Sequence, residues 1–383
     1  MECDSKKCDI SDLADGITYK LLPLKVSSYT GQVGGFNPDK KRKFKFLYNH
    51  EDSTLYKIVN RRPKGFNEVR LYEEVFSSDC PLSALGLKRF LPAYRGLFYN
   101  PVTSRYFIGM EDILKDMEHP SACDIKVGRI SYLPGDSEEK ISTEKAKYVW
   151  REKLGFFITG MNVYDPESKS NAFYDISYGR SLEPSNIFEK GICVFLGRDP
   201  RRRSLLAHAF LPHLSQLAAW FESQTQYHFC ASSFLLAYDC LSGDDDAVAG
   251  SSSTSTSCSH TPSSTRVHVR LIDFARWRRV DDGQHDTNFL YGLYRLIHFM
   301  RKAAFREQTV NSSHTVSDSS TTTTTTAGFT TASCSLQSFQ VQAPSCVPRL
   351  LDGPSTGNGS GVGCRASFRP HSSASSESVT FQV

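Results

Sequence analysis

The sequence has no long, uninterrupted run of apolar residues. Its most apolar-leaning stretch, residues 204–221, is broken by His208, Pro212 and His213. A helix that crosses a bilayer needs about 20 consecutive, mostly apolar residues. The start of the chain also lacks the apolar stretch of a secretory signal. We therefore expect a protein that neither spans a membrane nor is secreted.

Paired cysteines and a strong excess of one charge are also missing. The 11 cysteines include no CxxC pair, so their spacing defines neither a disulfide framework nor a structural zinc site. We expect reduced thiols, as in cytosolic and nuclear proteins, and place the protein in the nucleus and cytoplasm. The 45 basic and 41 acidic side chains leave a net charge of only +4, so no nucleic-acid partner is expected.

Two stretches are rich in serine and threonine and have no apolar periodicity. They are residues 242–265 and residues 307–383. Neither can bury enough apolar surface to offset its conformational entropy, which predicts that both are disordered. The rest of the chain then consists of a short N-terminal tail, residues 1–17, and a folded core, residues 18–306, that the first stretch interrupts.

The folded core mixes strand and helix patterns. Residues 55–59 alternate with the period of a half-buried strand, and the segment after them has helical spacing. Strands come first and mixed helices and strands follow, which is typical of an α+β protein with two lobes, here residues 18–112 and 113–306. Strands are predicted at 55–59, 105–110, 120–128, 229–238 and 267–274, and helices at 67–76, 137–154, 203–226 and 286–306.

The predicted strand that ends at Gly128 carries the most informative charges. Asp124 and Lys126 face the same side of it, about 7 Å apart, while Ile125 and Val127 face the core. A carboxylate beside an ammonium suits phosphoryl transfer, in which one group handles the attacking hydroxyl and the other neutralises phosphate oxygens. Gly128 is expected to let a bulky polyanion approach the backbone. A plain ion pair on a strand surface fits the same residues.

Three further charged residues fit nucleotide chemistry. Asp273 ends an apolar strand, where a carboxylate can meet Mg²⁺ together with substrate phosphates. Lys57 lies in a strand and Glu68 on the helix after it, the lysine–glutamate arrangement with which protein kinases hold nucleotide phosphates. Each feature has an ordinary alternative: a turn-capping aspartate for Asp273 and a solvated lysine for Lys57.

Pro120, Asp124, Lys126 and Gly128 together read PxxxDxKxG. This pattern resembles the signature of the inositol polyphosphate kinase family, and further segments resemble that family in the same order across the core. Within the family, the sequence KVGRISY at 126–132, which runs directly into the next helix, is most similar to the multikinase branch. The other segments are LPAYRG at 91–96, YFIGMED at 106–112, YGRSL at 178–182, ASSFL at 231–235, IDFA at 272–275 and DTNFLYGL at 286–293.

For the nucleotide, the resemblance implies a two-lobed fold with a protein-kinase-like core that grasps ATP. Lys57 would contact the ATP phosphates with Glu68 as its ion-pair partner. Asp273 would hold Mg²⁺, the implied cofactor. The hinge that hydrogen-bonds adenine through its backbone would consist of Glu111, Asp112 and Ile113.

For the acceptor, the resemblance implies inositol trisphosphate and tetrakisphosphate, carried to a pentakisphosphate, with a phosphatidylinositol bisphosphate headgroup as a second candidate. Asp124 would orient or deprotonate the inositol hydroxyl, and Lys126 would bind the substrate and the transferring phosphate. Lys64, Lys140 and Lys147 match positions of basic or polar substrate contacts. Lys140 and Lys147 are two helical turns apart and can face one polyanion, although an ordinary charged helix face fits them too.

Two residues depart from the family pattern. Arg276 stands where the multikinases usually carry a substrate-contacting histidine. Because arginine can bind a phosphate through two hydrogen bonds, we expect Arg276 to contact substrate and to shift which phosphate or hydroxyl is preferred. Glu144 stands where a neutral glutamine is common. A carboxylate repels a polyphosphate, so we expect Glu144 either to point away or to reduce tolerance of substrate charge.

The resemblance predicts a monomer and leaves three alternatives. A dedicated inositol trisphosphate 3-kinase is expected to carry a larger substrate-binding insertion after the strand with Asp124, which is not evident. An inositol hexakisphosphate kinase is expected to read KMGTRQ where this chain reads KVGRIS. A non-catalytic scaffold of the same fold is disfavoured, because Lys57, Asp124, Lys126 and Asp273 are all present.

Overall fold

The computed structural model describes residues 17–29, 31, 33, 46–60, 64–240 and 266–305, with the backbone alone at residue 64. The predicted C-terminal tail, residues 307–383, and the predicted insertion at 242–265 lie outside the described residues, as does the predicted N-terminal tail, residues 1–17, except for Ile17. Within them, two β-sheets carry helices on their faces. The prediction of an α+β fold is confirmed.

The first sheet comes from the earlier part of the chain and has six strands: β1 (Tyr19–Leu21), β2 (Ser27–Ser28), β3 (Phe46–Asn49), β4 (Thr54–Ile58), β5 (Tyr94–Asn100) and β6 (Arg105–Glu111). Their order is β1-β5-β6-β4-β3-β2, antiparallel except for the parallel β1–β5 pair. In β4 the buried ring of Tyr56 packs against Phe98. Alternation along the strand therefore turns Leu55 and Lys57 to the opposite face.

A helix, α1 (Lys64–Phe76), follows β4 and carries an acidic residue into the interior. Val69, Tyr72 and Val75 recur every three residues on its buried side, the spacing of an amphipathic helix. Glu68 precedes Tyr72 by one turn and is buried on the same side. A short helix, α2 (Leu82–Leu85), and a 3₁₀ turn at Lys88–Phe90 lead back to β5.

The second sheet has five antiparallel strands: β7 (Pro120–Val127), β8 (Phe156–Asp165), β9 (Ser170–Tyr174), β11 (Ser233–Asp239) and β12 (Val267–Ile272). Their order is β12-β11-β7-β8-β9, with β7 in the centre. The register of β7 with β8 shifts between Asp124 and Ile125. Such a bulge bends the ladder locally and re-aims side chains. A small pair, β10 (Tyr227–His228) and β13 (Arg278–Arg279), lies apart from this sheet.

Six helices accompany the second sheet: α3 (Glu138–Ala146), α4 (Arg151–Leu154), α5 (Ile176–Ser181), α6 (Cys193–Leu196), α7 (Pro200–Ser223) and α8 (Thr287–Phe305). A π-helical turn at Ile187–Ile192 precedes α6. The long helices α7 and α8 pack together, and the rings of Phe221 and Phe289 stack between them at 4.4 Å. None of the described helices is both long enough and apolar enough to cross a membrane.

The structure corrects several predicted boundaries. The helix predicted at 137–154 is divided into α3 and α4, and Gly155 ends α4 with a φ of 79°. Strand β11 begins at Ser233, four residues later than predicted. The pair β8–β9 was not predicted, because β8 is buried on both faces and shows no alternation of apolar and polar residues. The lobe boundary predicted after residue 112 falls between the two sheets and stays a prediction.

Candidate active site

A cavity of about 560 Å³ has walls from both sheets. This volume is in the range of small-molecule sites, roughly 300–1,000 Å³. Lys64 is the first residue of α1, and because its side chain lies outside the described residues, its substrate contact stays a prediction. All the other predicted site residues line this cavity: Lys57, Glu68, Glu111, Asp112, Ile113, Asp124, Lys126, Lys140, Lys147, Asp273 and Arg276.

Lys57 lies between two carboxylates at the base of the cavity wall. Its Nζ donates to Glu68 Oε1 at 2.7 Å and to Asp273 Oδ1 at 2.5 Å. Burial lowers the pKa of Lys57, but the carboxylates of Asp273 and Glu68 outweigh this effect and raise it above its ordinary value. Glu68 also accepts a hydrogen bond from the Phe274 amide, at 3.3 Å. The Lys57–Glu68 contact expected from the sequence is present, and Asp273 joins it.

Asp273 follows β12 directly and has a φ of 65°. Aspartate is among the few residues besides glycine that tolerate this left-handed region, which is often found at functional sites. The side chain of Asp273 is 42% exposed, so its carboxylate is accessible from the cavity. The turn therefore presents a charged oxygen that the Lys57 ammonium neutralises only in part.

A divalent cation fits the carboxylates of Asp273 and Asp124. Their charges interact, since the carboxylate of Asp273 contributes to raising the pKa of Asp124. Mg²⁺ is usually held by one or two carboxylates together with phosphate oxygens and water. In the part of the chain that the structure describes, no group of three or more acidic, histidine or cysteine side chains is arranged to hold a metal ion by itself. Phosphate oxygens or water would therefore have to complete the coordination.

Asp124 is a buried carboxylate with an unused acceptor. Only 8% of the residue is exposed, and its Oδ1 has no hydrogen-bond partner among the described residues. Burial is the main cause of its raised pKa and the charge of Asp273 adds to it, while Lys126 and hydrogen bonds with the side chains of Ser233 and Thr159 oppose it. A buried acceptor without a donor is costly, and a raised pKa makes a carboxylate a better proton acceptor. Both properties fit a group that receives a hydroxyl hydrogen from a ligand.

Lys126 lies on the same face of β7 as Asp124, as predicted from the strand period. Its Nζ donates to the Ala231 carbonyl at 2.7 Å. This bond joins β7 to the turn just before β11 and holds the ammonium at the cavity wall. The buried Ile125 and Val127 point to the other face of the strand.

Gly128 does not have the role expected from the sequence. It is absent from the cavity lining, and its φ is 103°. A Cβ at this position would lie 2.7 Å from the side-chain amide of Asn288 in α8. The same amide accepts a hydrogen bond from Ile130 at 2.9 Å. The prediction that Gly128 admits a polyanion was wrong, because the element that comes close to Gly128 is helix α8.

The segment after β6 forms the apolar side of the cavity. The Asp112 amide donates to the Ser53 carbonyl at 3.2 Å, and its carboxylate accepts from Tyr29 Oη and the Leu114 amide. The Asp112 side chain therefore holds the turn in place. The apolar side chains that line the cavity are Val33, Phe46, Leu55, Ile58, Tyr72, Pro92, Met110, Leu114, Leu235 and Ile272.

Two of the predicted substrate lysines are bound to a carboxylate of their own helix. Lys140 and Lys147 both donate to Oε1 of Glu144, the latter at 2.8 Å. Ser131 donates to the other oxygen, at 3.1 Å. Glu144 therefore does not point away. We call Ser131, Lys140, Glu144, Lys147 and Arg276 the basic wall of the cavity.

Arg276 is engaged by the loop that precedes α3. Its Nη1 donates to the Ser131 carbonyl at 2.8 Å and its Nη2 to Asp136 Oδ2 at 3.1 Å. The guanidinium thus links the end of β12 to the loop that carries Ser131. The predicted contact of Arg276 with substrate stays a prediction; its terminal nitrogens bind Ser131 and Asp136 here, and the guanidinium has further N–H donors.

Sequence reasoning missed two arginines in the lining, Arg151 and Arg180. Arg151 is buried and donates to the Val127 carbonyl at 3.0 Å, and burial lowers its pKa to about 10. Arg180 is exposed on α5 and adds positive charge to the lining. Arg180 lies in the YGRSL segment, which resembles the family, and the positive charge within that segment could have indicated a site residue.

Comparison with known proteins assigns the family. The sequence pattern of the family described as inositol polyphosphate kinase matches residues 107–301. An inositol polyphosphate multikinase alpha of Arabidopsis thaliana is 30% identical over 269 residues, which cover 65% of this chain and 86% of that protein. The chain belongs to the inositol polyphosphate kinase family.

Two further comparisons cover less or are weaker. The human inositol polyphosphate multikinase is 32% identical over 195 residues, 50% of this chain and 47% of that protein. The chain thus matches about half the length of the mammalian relatives. A structure of the multikinase Ipk2 of S. cerevisiae, in complex with ADP and Mn²⁺, is 21% identical with a TM-score of 0.49, and covers 65% of this chain and 98% of the other. That likeness is too low to support an inference.

Proposed function

We propose that the protein transfers the γ-phosphoryl group of ATP to a hydroxyl group of an inositol polyphosphate. The observation that carries the proposal is the unpartnered Asp124 oxygen in the same cavity as the Lys57–Asp273 pair, an apolar side and a basic wall. A nucleotide needs the apolar side and the lysine. A polyphosphorylated polyol needs the carboxylate and the basic wall. Membership of the inositol polyphosphate kinase family supports both assignments.

We assign the nucleotide to the apolar side. Adenine would lie against Leu55, Met110 and their neighbours, with hydrogen bonds to the backbone of residues 111–113. Because the Asp112 amide is bonded to Ser53, the Ile113 amide is the hinge donor that we assign to adenine. Lys57 would then reach the phosphates, as the corresponding lysine does in protein kinases.

We assign Mg²⁺ to Asp273. Asp273 would hold the cation together with the nucleotide phosphates, and the cation would supply positive charge that stabilises the transferring phosphoryl group. The partly exposed carboxylate of Asp273 and the buried one of Asp124 supply the hard oxygen donors that this cation prefers.

The transfer itself would use Asp124 and Lys126. Asp124 Oδ1 accepts the proton of an inositol hydroxyl, and the hydroxyl oxygen attacks the γ-phosphorus. The new oxygen–phosphorus bond forms while the bond between that phosphorus and the ADP oxygen breaks. Lys126 stabilises the charge on the transferring group. The products are ADP and an inositol ring with one additional phosphate, and the proton leaves from Asp124.

The finer assignments follow the multikinase relatives. We propose inositol trisphosphate and tetrakisphosphate as substrates, with a pentakisphosphate as the final product. A phosphatidylinositol bisphosphate headgroup is the second candidate, because the basic wall would recognise the same phosphates on a lipid. We also propose that the protein acts as a monomer in the nucleus and cytoplasm and has no nucleic-acid partner.

The alternatives differ in what they produce. A dedicated trisphosphate 3-kinase would stop at one tetrakisphosphate isomer, and a hexakisphosphate kinase would form pyrophosphates from the fully phosphorylated ring. A scaffold would bind partners without turnover. The cavity contains the residues that a kinase needs, which favours catalysis over the scaffold.

The test is an assay of the full chain with Mg–ATP and a panel of inositol phosphates, with product isomers resolved by chromatography. We expect the trisphosphate and the tetrakisphosphate to be phosphorylated. Asp124→Asn should lower kcat by about 10²–10⁴-fold, the usual contribution of a general base. The matched control is Asp116→Asn, the same change at an exposed position outside the cavity. Equal activities of the two variants, or no turnover by the wild type, would contradict the proposal.

A further inference from the structure

Glu144 is a buried anion at the centre of the basic wall. It is 8% exposed and lines the cavity. Both lysines of the wall donate to the same one of its oxygens, so their ammonium groups are held close together. Ser131 holds the other oxygen and is itself linked to Arg276 through its carbonyl. The carboxylate is thus fixed from three sides and faces the space where an anionic ligand would lie.

The Glu144 carboxylate is negatively charged at neutral pH. Burial alone would raise its pKa, but the hydrogen bonds from Lys140, Lys147 and Ser131 and the charge of Lys147 outweigh burial and lower the pKa to about 2. The group is therefore ionised throughout the neutral range. Lys140, Glu144 and Lys147 together carry one positive charge instead of the two that the lysines alone would supply.

We propose that Glu144 is a built-in anion that limits how many phosphates the acceptor can place against the basic wall. This inference deepens the proposed function, because it names the residue that sets selectivity by phosphate number. The lysines attract a phosphate, and Glu144 sets an upper limit on that attraction.

The physical reason is the donor capacity of lysine. Each ammonium has three donors, so Lys140 and Lys147 can bind a phosphate and keep their bonds to Glu144. The phosphate then lies near the carboxylate, and juxtaposed like charges cost several kcal/mol. One phosphate is tolerated because two cations offset one anion. A second phosphate at the wall meets the same carboxylate with no further cation from this trio, so the affinity for more highly phosphorylated acceptors is reduced.

The test is Glu144→Gln, which keeps the shape of the side chain and an oxygen that can accept from Ser131. We expect the KM and the calorimetric Kd for inositol tetrakisphosphate to fall by about tenfold or more, because the like-charge cost is removed. The values for the trisphosphate should fall less. The control is Glu139→Gln, which makes the same charge change on the exposed face of α3, outside the cavity.

A second variant should change the affinity for inositol tetrakisphosphate in the opposite direction. It also keeps the inference testable if Glu144→Gln does not fold. Lys147→Met removes one cation from the trio, so it should weaken tetrakisphosphate binding more than trisphosphate binding. An unchanged ratio of the two Kd values in both variants would overturn the inference, as would a shift in Glu139→Gln equal to that in Glu144→Gln. A uniform rise of both KM values with a loss of kcat would show a merely structural role.

Measuring the Kd values of the two inositol phosphates tests this inference independently of the proposed catalytic function. If the wild type bound both inositol phosphates but turned over neither, the catalytic proposal would fail while the Kd ratios still tested Glu144. If no variant bound either compound, both proposals would fall.

Discussion

At the scale of single residues, the site contains charged side chains that differ in how completely they are paired. Lys57 is satisfied by two carboxylates, and Glu144 by two lysines. Asp124 differs because one of its oxygens has no donor among the described residues. Its burial and the neighbouring Asp273 disfavour the charged form. In the unliganded protein, Asp124 therefore costs stability, which is the expected condition of a group held ready for a ligand.

This cost predicts a stability gain for Asp124→Asn in the absence of ligands. Because the pKa of Asp124 is raised on folding, the folded state binds the proton more tightly than the unfolded state. The wild type thus loses stability as the pH rises from the ordinary aspartate range through the raised pKa. The variant lacks this loss, so its free energy of unfolding should exceed that of the wild type at neutral pH.

Urea denaturation of both proteins at a series of pH values measures this difference. The advantage of Asp124→Asn should shrink as the pH falls through the raised pKa and vanish below the ordinary aspartate pKa. A variant less stable than the wild type at pH 7 would show that the carboxylate has a stabilising partner.

At the scale of secondary-structure elements, the loops of the site are held by the ends of helices. Asp286 directly precedes α8, and its carboxylate accepts from the Phe289 amide at 2.9 Å and from the Phe229 amide at 2.6 Å. One residue thus caps the helix and binds the segment before β11. In the first turn of α8, Asn288 holds the backbone of Ile130. The N-terminal end of α8 therefore positions two loops of the site. One is the turn before β11, whose Ala231 carbonyl accepts from Lys126, and the other is the loop before α3, which carries Ser131.

Asp286→Ala should lower the free energy of unfolding by about 2–4 kcal/mol, since it removes a helix cap and leaves the buried Phe229 amide without an acceptor. Asp286→Asn keeps one of the two acceptor oxygens and should lose less than Asp286→Ala. Chemical denaturation monitored by circular dichroism measures both. Equal losses in the two variants would show that one acceptor oxygen is not enough and that both are needed.

At the scale of the whole molecule, the cavity exists only where the two sheets meet. Lys57 comes from β4, and the carboxylates of Asp124 and Asp273 come from β7 and the end of β12. The basic wall comes mostly from α3 and the loop before it. A ligand that contacts all of these elements binds the folded chain and not the unfolded one. Binding must then raise the stability of the described core by mass action.

Mg–ATP at 100 times its Kd should therefore stabilise the protein by about 2.7 kcal/mol, measured as a rise of Tm by calorimetry. Lys57→Met should abolish this rise relative to its own unliganded baseline. Lys25→Met is the matched control, because Lys25 is exposed and pairs only with the exposed Glu51. If Lys57→Met kept the full rise, the nucleotide would bind elsewhere.

Much of the fold and of the site could be predicted because the signals are local. The period-2 pattern of β4 and β7 determined which side chains share a face, so Lys57, Asp124 and Lys126 were placed correctly on their strands. The helical spacing of α1 brought Glu68 to the side of Lys57. The strand β8 could not be predicted, since it is buried on both faces and its mixture of apolar residues with Thr159, Gly160 and Asn162 does not follow the period-2 pattern.

What the sequence determined by itself was therefore the type of the main predicted strands and helices, the charges on each face and, through family resemblance, a set of candidate site residues. Only the tertiary structure decided which charges neutralise one another. Asp273 joins Lys57, Arg276 is held by Asp136, and Gly128 meets Asn288. The physical reason is that the partner of a charged side chain is set by distances across separate elements. Spacing along the chain specifies only the face from which that side chain starts.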